Sequence, residues 1–154
     1  MEMHCPSAIR MVFLSTALAF TPTVNADAKL DDMVMDHVLP HFDREARVLI
    51  KNSGARYVSS NWNGETRTLV AVAEMDILRS PRFSNVALKS DSTTDIRGFK
   101  NDRVGELCQH SAAKLIRRFL EKYDVTIAFV YGEKHGNTDP VTVEVSHHDL
   151  SVCV

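Results

Sequence analysis

Residues 101–131 decide the fold, and they read NDRVGELCQHSAAKLIRRFLEKYDVTIAFVY. In the stretch 101–123, apolar residues recur at the spacing of one face of a helix. This stripe consists of Val104, Leu107, Cys108, Leu115, Ile116, Phe119 and Leu120. The stretch 125–131 is rich in β-branched and aromatic residues, which is typical of a buried strand. The sequence therefore predicts a core-facing helix over 101–123 that leads into a strand.

The face of this helix opposite the apolar stripe is mainly basic. Two glutamates dilute the positive charge, and such a mixture is typical of a solvated face rather than of a docking patch. We therefore expect the basic side chains of this face to lie in solvent: Arg103, Lys114, Arg117, Arg118 and Lys122.

The sequence predicts two hairpins. Residues 141–146 alternate between apolar and polar and are expected to pair with 125–131 across the glycine-bearing loop 132–140. Upstream, Asn63-Gly64 separates two further strand-like stretches, 56–62 and 65–73. This dipeptide readily adopts the positive φ angles of a two-residue turn.

The remaining stretches predict helices and one long connection. Apolar spacing indicates a helix over 27–42, which Pro40 is expected to end or bend. Residues 43–52 fit either a helix or a strand, and the pattern favours a helix. Residues 75–100 predict a connection with one short strand at 86–89. The order predicts an α+β fold, an antiparallel sheet of about four strands in two hairpins with two or three helices on one face.

The first 26 residues have the pattern of an export signal. Arg10 precedes the apolar run Met11–Phe20, and Val24-Asn25-Ala26 offers the small residues of a cleavage site. A membrane anchor is the alternative, but the run falls short of the roughly 20 residues that span a bilayer. We expect cleavage before Asp27, a single domain over 27–154, no membrane insertion after cleavage, and a periplasmic or secreted protein.

Charge and motif content exclude several classes of function. The chain of 154 residues carries a formal net charge of −2, which favours neither a nucleic-acid partner nor an anionic membrane. It contains neither a glycine-rich phosphate loop nor a dinucleotide fingerprint, so no cofactor is expected. No Gly-x-Ser-x-Gly turn accompanies the serine, histidine and aspartate residues.

The cysteines predict a disulfide. Cys5 lies in the export signal, which leaves Cys108 and Cys153 as an even pair in an oxidising compartment. The alternative is a pair of free thiols with one acting as a nucleophile, and no local signature of a neighbouring base supports it. We expect a Cys108–Cys153 bridge that ties the main helix to the C-terminus.

Four histidines are the candidate ligands if the protein does bind a metal ion. His37 and His41 are four residues apart, a spacing that lets two imidazoles meet one ion, although Pro40 stands between them. His147 and His148 are adjacent, and adjacent residues of a strand point to opposite faces. We expect no metal site, and these four histidines are the ligands that a metal site would use.

Trp62 and Tyr57 are the candidate interface residues. Trp62 lies beside the first predicted turn and Tyr57 lies on the same predicted strand, and aromatic side chains commonly anchor protein interfaces. The alternative is that Trp62 packs beneath the adjacent helix. We expect an exposed aromatic pair that contacts a partner.

The layout of the chain resembles a family of small secreted proteobacterial proteins. The resemblance is carried by Leu30-Asp31-Asp32-Met33-Val34 and by residues 102–108, DRVGELC, which lead into residues 122–126, KYDVT. Among these proteins, the chain resembles the quorum-sensing-regulated virulence factors. The resemblance implies a secreted α+β protein with a role at the host or cell surface, and it carries over no catalytic residues.

Two functions are compatible with these patterns. The first is an exported, non-enzymatic binding or effector protein that acts through a protein partner. The second is a small periplasmic hydrolase that depends on a metal or on the histidines. The absence of nucleophile and metal-protease motifs favours the first.

Overall fold

The computed structural model describes residues 23–76, 93–134 and 139–153, and the side chains of 27–76, 97–134 and 139–153. The predicted strand at 86–89 and the apolar run of the export signal lie outside these residues. The expected cleavage point before Asp27 lies within the first helix.

Helices and strands alternate in pairs along the chain. The helices are α1 (Thr23–Met33), α2 (Leu39–Asn52), α3 (Thr93–Gln109) and α4 (Ala113–Tyr123), with a π-helical turn at Val34–Val38 and a 3₁₀ helix at Asp149–Val152. The strands are β1 (Arg56–Asn63), β2 (Thr68–Met75), β3 (Thr126–Glu133) and β4 (Val141–Val145). The α+β class is confirmed.

The four strands form one mixed sheet in the order β1-β2-β3-β4. Both hairpin pairs are antiparallel, but β2 and β3 are parallel, so the prediction of a fully antiparallel sheet was wrong. Parallel neighbours need a crossover of a dozen or more residues. Here α3 and α4 lie between β2 and β3 in the chain, and they allow β3 to run in the same direction as β2.

The first turn is longer than predicted. Asn63 pairs with Thr68, so residues 64–67 form the loop instead of Asn63-Gly64 alone. The left-handed residue is Arg67, with φ of 48°. Its guanidinium donates to the Tyr123 backbone carbonyl at 3.3 Å and to Asp27 Oδ1 at 2.7 Å. These contacts hold Arg67 in a conformation that a glycine would otherwise adopt more easily.

Pro40 neither ends the first helical stretch nor separates it from the second. The chain passes from α1 through the π-helical turn into α2, where Pro40 lies in the first turn. Proline is tolerated there because the first amides of a helix have no partner within that helix. The prediction that residues 43–52 are helical is confirmed.

The predicted main helix is divided in two. Instead of one helix over 101–123, α3 begins at Thr93 and ends at Gln109, and α4 begins at Ala113. At the break, the Ala112 amide donates to His110 Nδ1 at 3.1 Å. A side chain that accepts from a backbone amide in this way competes with the helical hydrogen bond. As a result Leu115, expected in the core, is 67 % exposed.

The core lies between the sheet and the helices. Alternate residues of β2 and β3 point into it, among them Leu69, Ala71, Phe129 and Tyr131.

The predicted disulfide is present: Cys108 at the end of α3 is bonded to Cys153, with 5.0 Å between their Cα atoms. No helix in the described ranges is long and apolar enough to cross a membrane.

Candidate binding cleft between the helices

An apolar cleft of about 400 Å³ opens between α2 and the α3–α4 pair. Its floor is made by Leu69 and Ile127, which are register partners on β2 and β3. Helix α2 packs over β1 and β2, while α3 packs over β4. The helices therefore diverge above the middle of the sheet, and the space between them is the cleft.

The walls of the cleft come from apolar residues on both sides. One wall carries Val38, Phe42, Ala46 and Leu49, and the other carries Leu107, Ala112, Leu115, Ile116, Phe119 and Leu120. Ala46 and Ala112 are small, so they leave room that a larger side chain would fill. Volumes of 300–1,000 Å³ with mainly apolar walls are typical of ligand sites. The rim is also apolar in part, because Leu115 is among the most exposed large hydrophobic residues described.

A polar contact joins the two walls at the mouth of the cleft. His110 Nε2, at the end of α3, lies 2.9 Å from Glu45 Oε2 on α2. His110 Nδ1 already accepts the Ala112 amide, so these hydrogen bonds assign the ring proton to Nε2, which donates to Glu45. The His110 ring therefore links Glu45 on α2 to the backbone at the start of α4.

Arg103 binds the end of α2, which forms one wall of the cleft. Its side chain is 1 % exposed, which contradicts the solvated position predicted for it. One terminal nitrogen donates to the Leu49 carbonyl at 3.0 Å, and the other pairs with Glu106 Oε1 at 2.9 Å. A cation is favourable at the carbonyl end of a helix, where α2 terminates. Arg103 also lies over the Phe99 ring, 5.1 Å from its centroid.

The two predicted interface aromatics are half-buried on the helix-facing side of β1. Trp62 Nε1 donates to Asp31 Oδ1 at 2.7 Å, and Trp62 packs against the core. The Tyr57 hydroxyl donates to the Asp43 carboxylate and lies 2.9 Å from Ser60 Oγ. The hydrogen bond from Tyr57 lowers the pKa of Asp43, and burial together with that bond raises the pKa of Tyr57. Their role at an interface stays a prediction.

The first histidine pair lies at the cleft. His37 and His41 are exposed and line its rim, and His41 Nδ1 lies 2.6 Å from an Arg44 nitrogen, which donates to it. Within the described ranges, no group of three or more histidine, cysteine, aspartate or glutamate residues is placed to hold a metal ion.

The second pair lies away from the cleft. Because β4 ends at Val145, His147 and His148 belong to a turn instead of a strand, and their ring centroids are 3.9 Å apart. The neighbouring Asp149 accepts from the Ser146 amide at 2.8 Å and hydroxyl at 2.9 Å, and it pairs with Lys100 Nζ at 2.8 Å. Burial acts to raise the pKa of Asp149, but the bonds from Lys100 and Ser146 outweigh it and lower the pKa.

Asp149→Asn is expected to destabilise the protein by about 1–2 kcal/mol at pH 7, because charged hydrogen bonds are lost. A carboxylate with a lowered folded-state pKa contributes its full stability above its ordinary pKa of 3.8. This contribution declines below 3.8 and is lost as the pH falls through the lowered folded-state pKa. Urea unfolding at pH 7 and pH 3 measures the effect. The deficit of the variant should shrink at pH 3, whereas an equal deficit at both pH values would contradict this assignment. Asp36→Asn, at an exposed position, is the control and should match wild type.

Sequence patterns did not reveal the cleft. The apolar stripe of α4 indicated burial in general, but Glu45 and His110 had no pattern that set them apart. The one available signal was Ser111-Ala112-Ala113 following His110, a run of small residues in which a helix break leaves space.

The chain was compared with protein-family models, with curated proteins and with solved structures, and none of the three comparisons found a match.

Proposed function

We propose that this protein is an exported, non-enzymatic binding protein that acts through a protein partner, in the periplasm or outside the cell. The observation that carries the proposal is the cleft, which is concave, mainly apolar and accessible at its rim. Apolar side chains of the partner fill this space. Export rests on the signal pattern of residues 1–26, and the resemblance to secreted virulence factors supports a role at a cell surface.

The contacts of three potential acid–base groups support binding over catalysis. Asp149 is held by Ser146 and Lys100, and Asp43 is held by Tyr57 and Arg47. His110 uses both ring nitrogens to join the cleft walls. Each group has a structural role that a proton transfer would interrupt.

Leu115→Glu is expected to abolish partner binding without unfolding the protein. Leu115 is 67 % exposed, so a glutamate there costs little stability, but it places a charge where the partner's apolar side chains would bind. The measurement is affinity capture from extracts of the host and of target cells with the variant and wild type in parallel. A partner that wild type retains should be reduced at least about tenfold on Leu115→Glu.

Val152→Glu is the matched control. Val152 is 69 % exposed and lies on the 3₁₀ helix, outside the cleft lining. It should retain the partner as wild type does. Equal retention by Leu115→Glu and wild type would remove the cleft as the binding site, and equal loss by both variants would point to a general effect of added charge.

A further inference from the structure

The charged residues that line the cleft are acidic. Among the described residues that line it, the formally charged ones are Glu45 and Glu106, and neither lysine nor arginine is present. The charge of Glu106 is balanced by Arg103, which is buried behind it. Glu45 therefore decides the charge that a ligand meets at the mouth.

The carboxylate of Glu45 accepts from a neutral donor in this arrangement. Its partner His110 accepts the Ala112 amide at Nδ1, so the ring that donates to Glu45 is the neutral tautomer. Arg44, the adjacent cation, donates instead to His41. The Glu45 side chain is 52 % exposed and retains oxygen lone pairs for a further donor. A carboxylate beside an apolar wall attracts a cation more strongly than one in open water.

The shape of the cleft fits a helix. The wall on the α2 side extends from His37 in the π-helical turn to Leu49 in α2, twelve residue steps or about 18 Å at ~1.5 Å per residue. A cavity of roughly 150 Å³ accommodates benzene. The 400 Å³ available here thus has room for two or three apolar side chains presented from successive turns. Amphipathic helices bind in grooves in this manner.

We infer that the partner segment in the cleft is an amphipathic helix of about three turns whose apolar face is bordered by a lysine or arginine that pairs with Glu45. This inference rests on the proposed function and specifies the chemistry of the partner. The apolar residues enter between α2 and α4, and the cation binds at the mouth beside His110.

Two synthetic peptides test the inference on the intact protein. Both have leucines at helical spacing along about fourteen residues, and one carries lysines where the other carries glutamates. Fluorescence anisotropy measures their affinities for wild type, Glu45→Gln and Glu121→Gln. Glu121 is exposed on α4 and outside the cleft lining, so its variant removes the same charge elsewhere.

The lysine peptide should bind wild type and bind Glu45→Gln about tenfold more weakly, with less than about twofold change for Glu121→Gln. The inference is overturned by equal binding of the two peptides or by equal effects of the two variants. It is also overturned if neither peptide binds, and binding of dodecyltrimethylammonium alone would then assign the cleft to a small amphiphile. The proposed function fails separately, when Leu115→Glu retains the captured partner.

Discussion

Arg103→Met is expected to lower the free energy of unfolding by about 2–3 kcal/mol, because it removes a buried guanidinium that makes two charged hydrogen bonds. Glu106 Oε1 would lose its hydrogen bond from Arg103, and the Leu49 carbonyl at the end of α2 would lose a donor. Methionine keeps much of the volume, so the loss is mainly electrostatic. Urea unfolding at pH 7 measures it.

Arg118→Met is the control for this change. Arg118 is exposed on α4, and exposed charges contribute little to stability, so we expect an effect below about 0.5 kcal/mol. Equal stabilities for the two variants would show that the contacts of Arg103 do not stabilise the end of α2.

The double variant Cys108→Ser, Cys153→Ser is expected to lose about 4 kcal/mol of stability in the chain-entropy model, since the bridge closes a loop of 45 residues. Loss of the bridge should also affect the cleft, because Leu107, the neighbour of Cys108 on α3, lines the cleft. Denaturant unfolding with and without reductant is the measurement. Wild type should match the double variant only when reduced, and a double variant as stable as oxidised wild type would contradict the expectation.

Local patterns predicted the elements better than their pairing. The run 125–131 predicted β3 closely, because β-branched residues favour an extended, half-buried backbone. The parallel pairing of β2 with β3 depends on how α3 and α4 return the chain, and no residue within either strand encodes it. The disulfide was predictable because the sequence leads us to expect export, and two cysteines in an exported domain have one intramolecular pairing available.

The candidate site was less predictable than the fold. Arg103 shares a helix face with Arg117 in the sequence pattern, and helical position alone assigns both to solvent. Its burial arises because the end of α2 lies against α3, a tertiary contact that periodicity does not encode. The cleft likewise depends on the divergence of helices that are distant in the chain. Only the apolar character of its walls could be predicted.

The π-helical turn sets the rotation of α1 about its own axis. Each residue of an α-helix advances by about 100°, so one additional residue within a turn changes which side chains face the sheet beyond that point. Here α1 presents Asp31 to Trp62, while α2 presents Ala46 and Ile50 to the core. An insertion or deletion within Val34–Val38 would leave both helices intact but turn Asp31 away from Trp62. The number of residues in this segment is therefore constrained by the rotation of α1 about its axis, rather than by the distance that the segment must span.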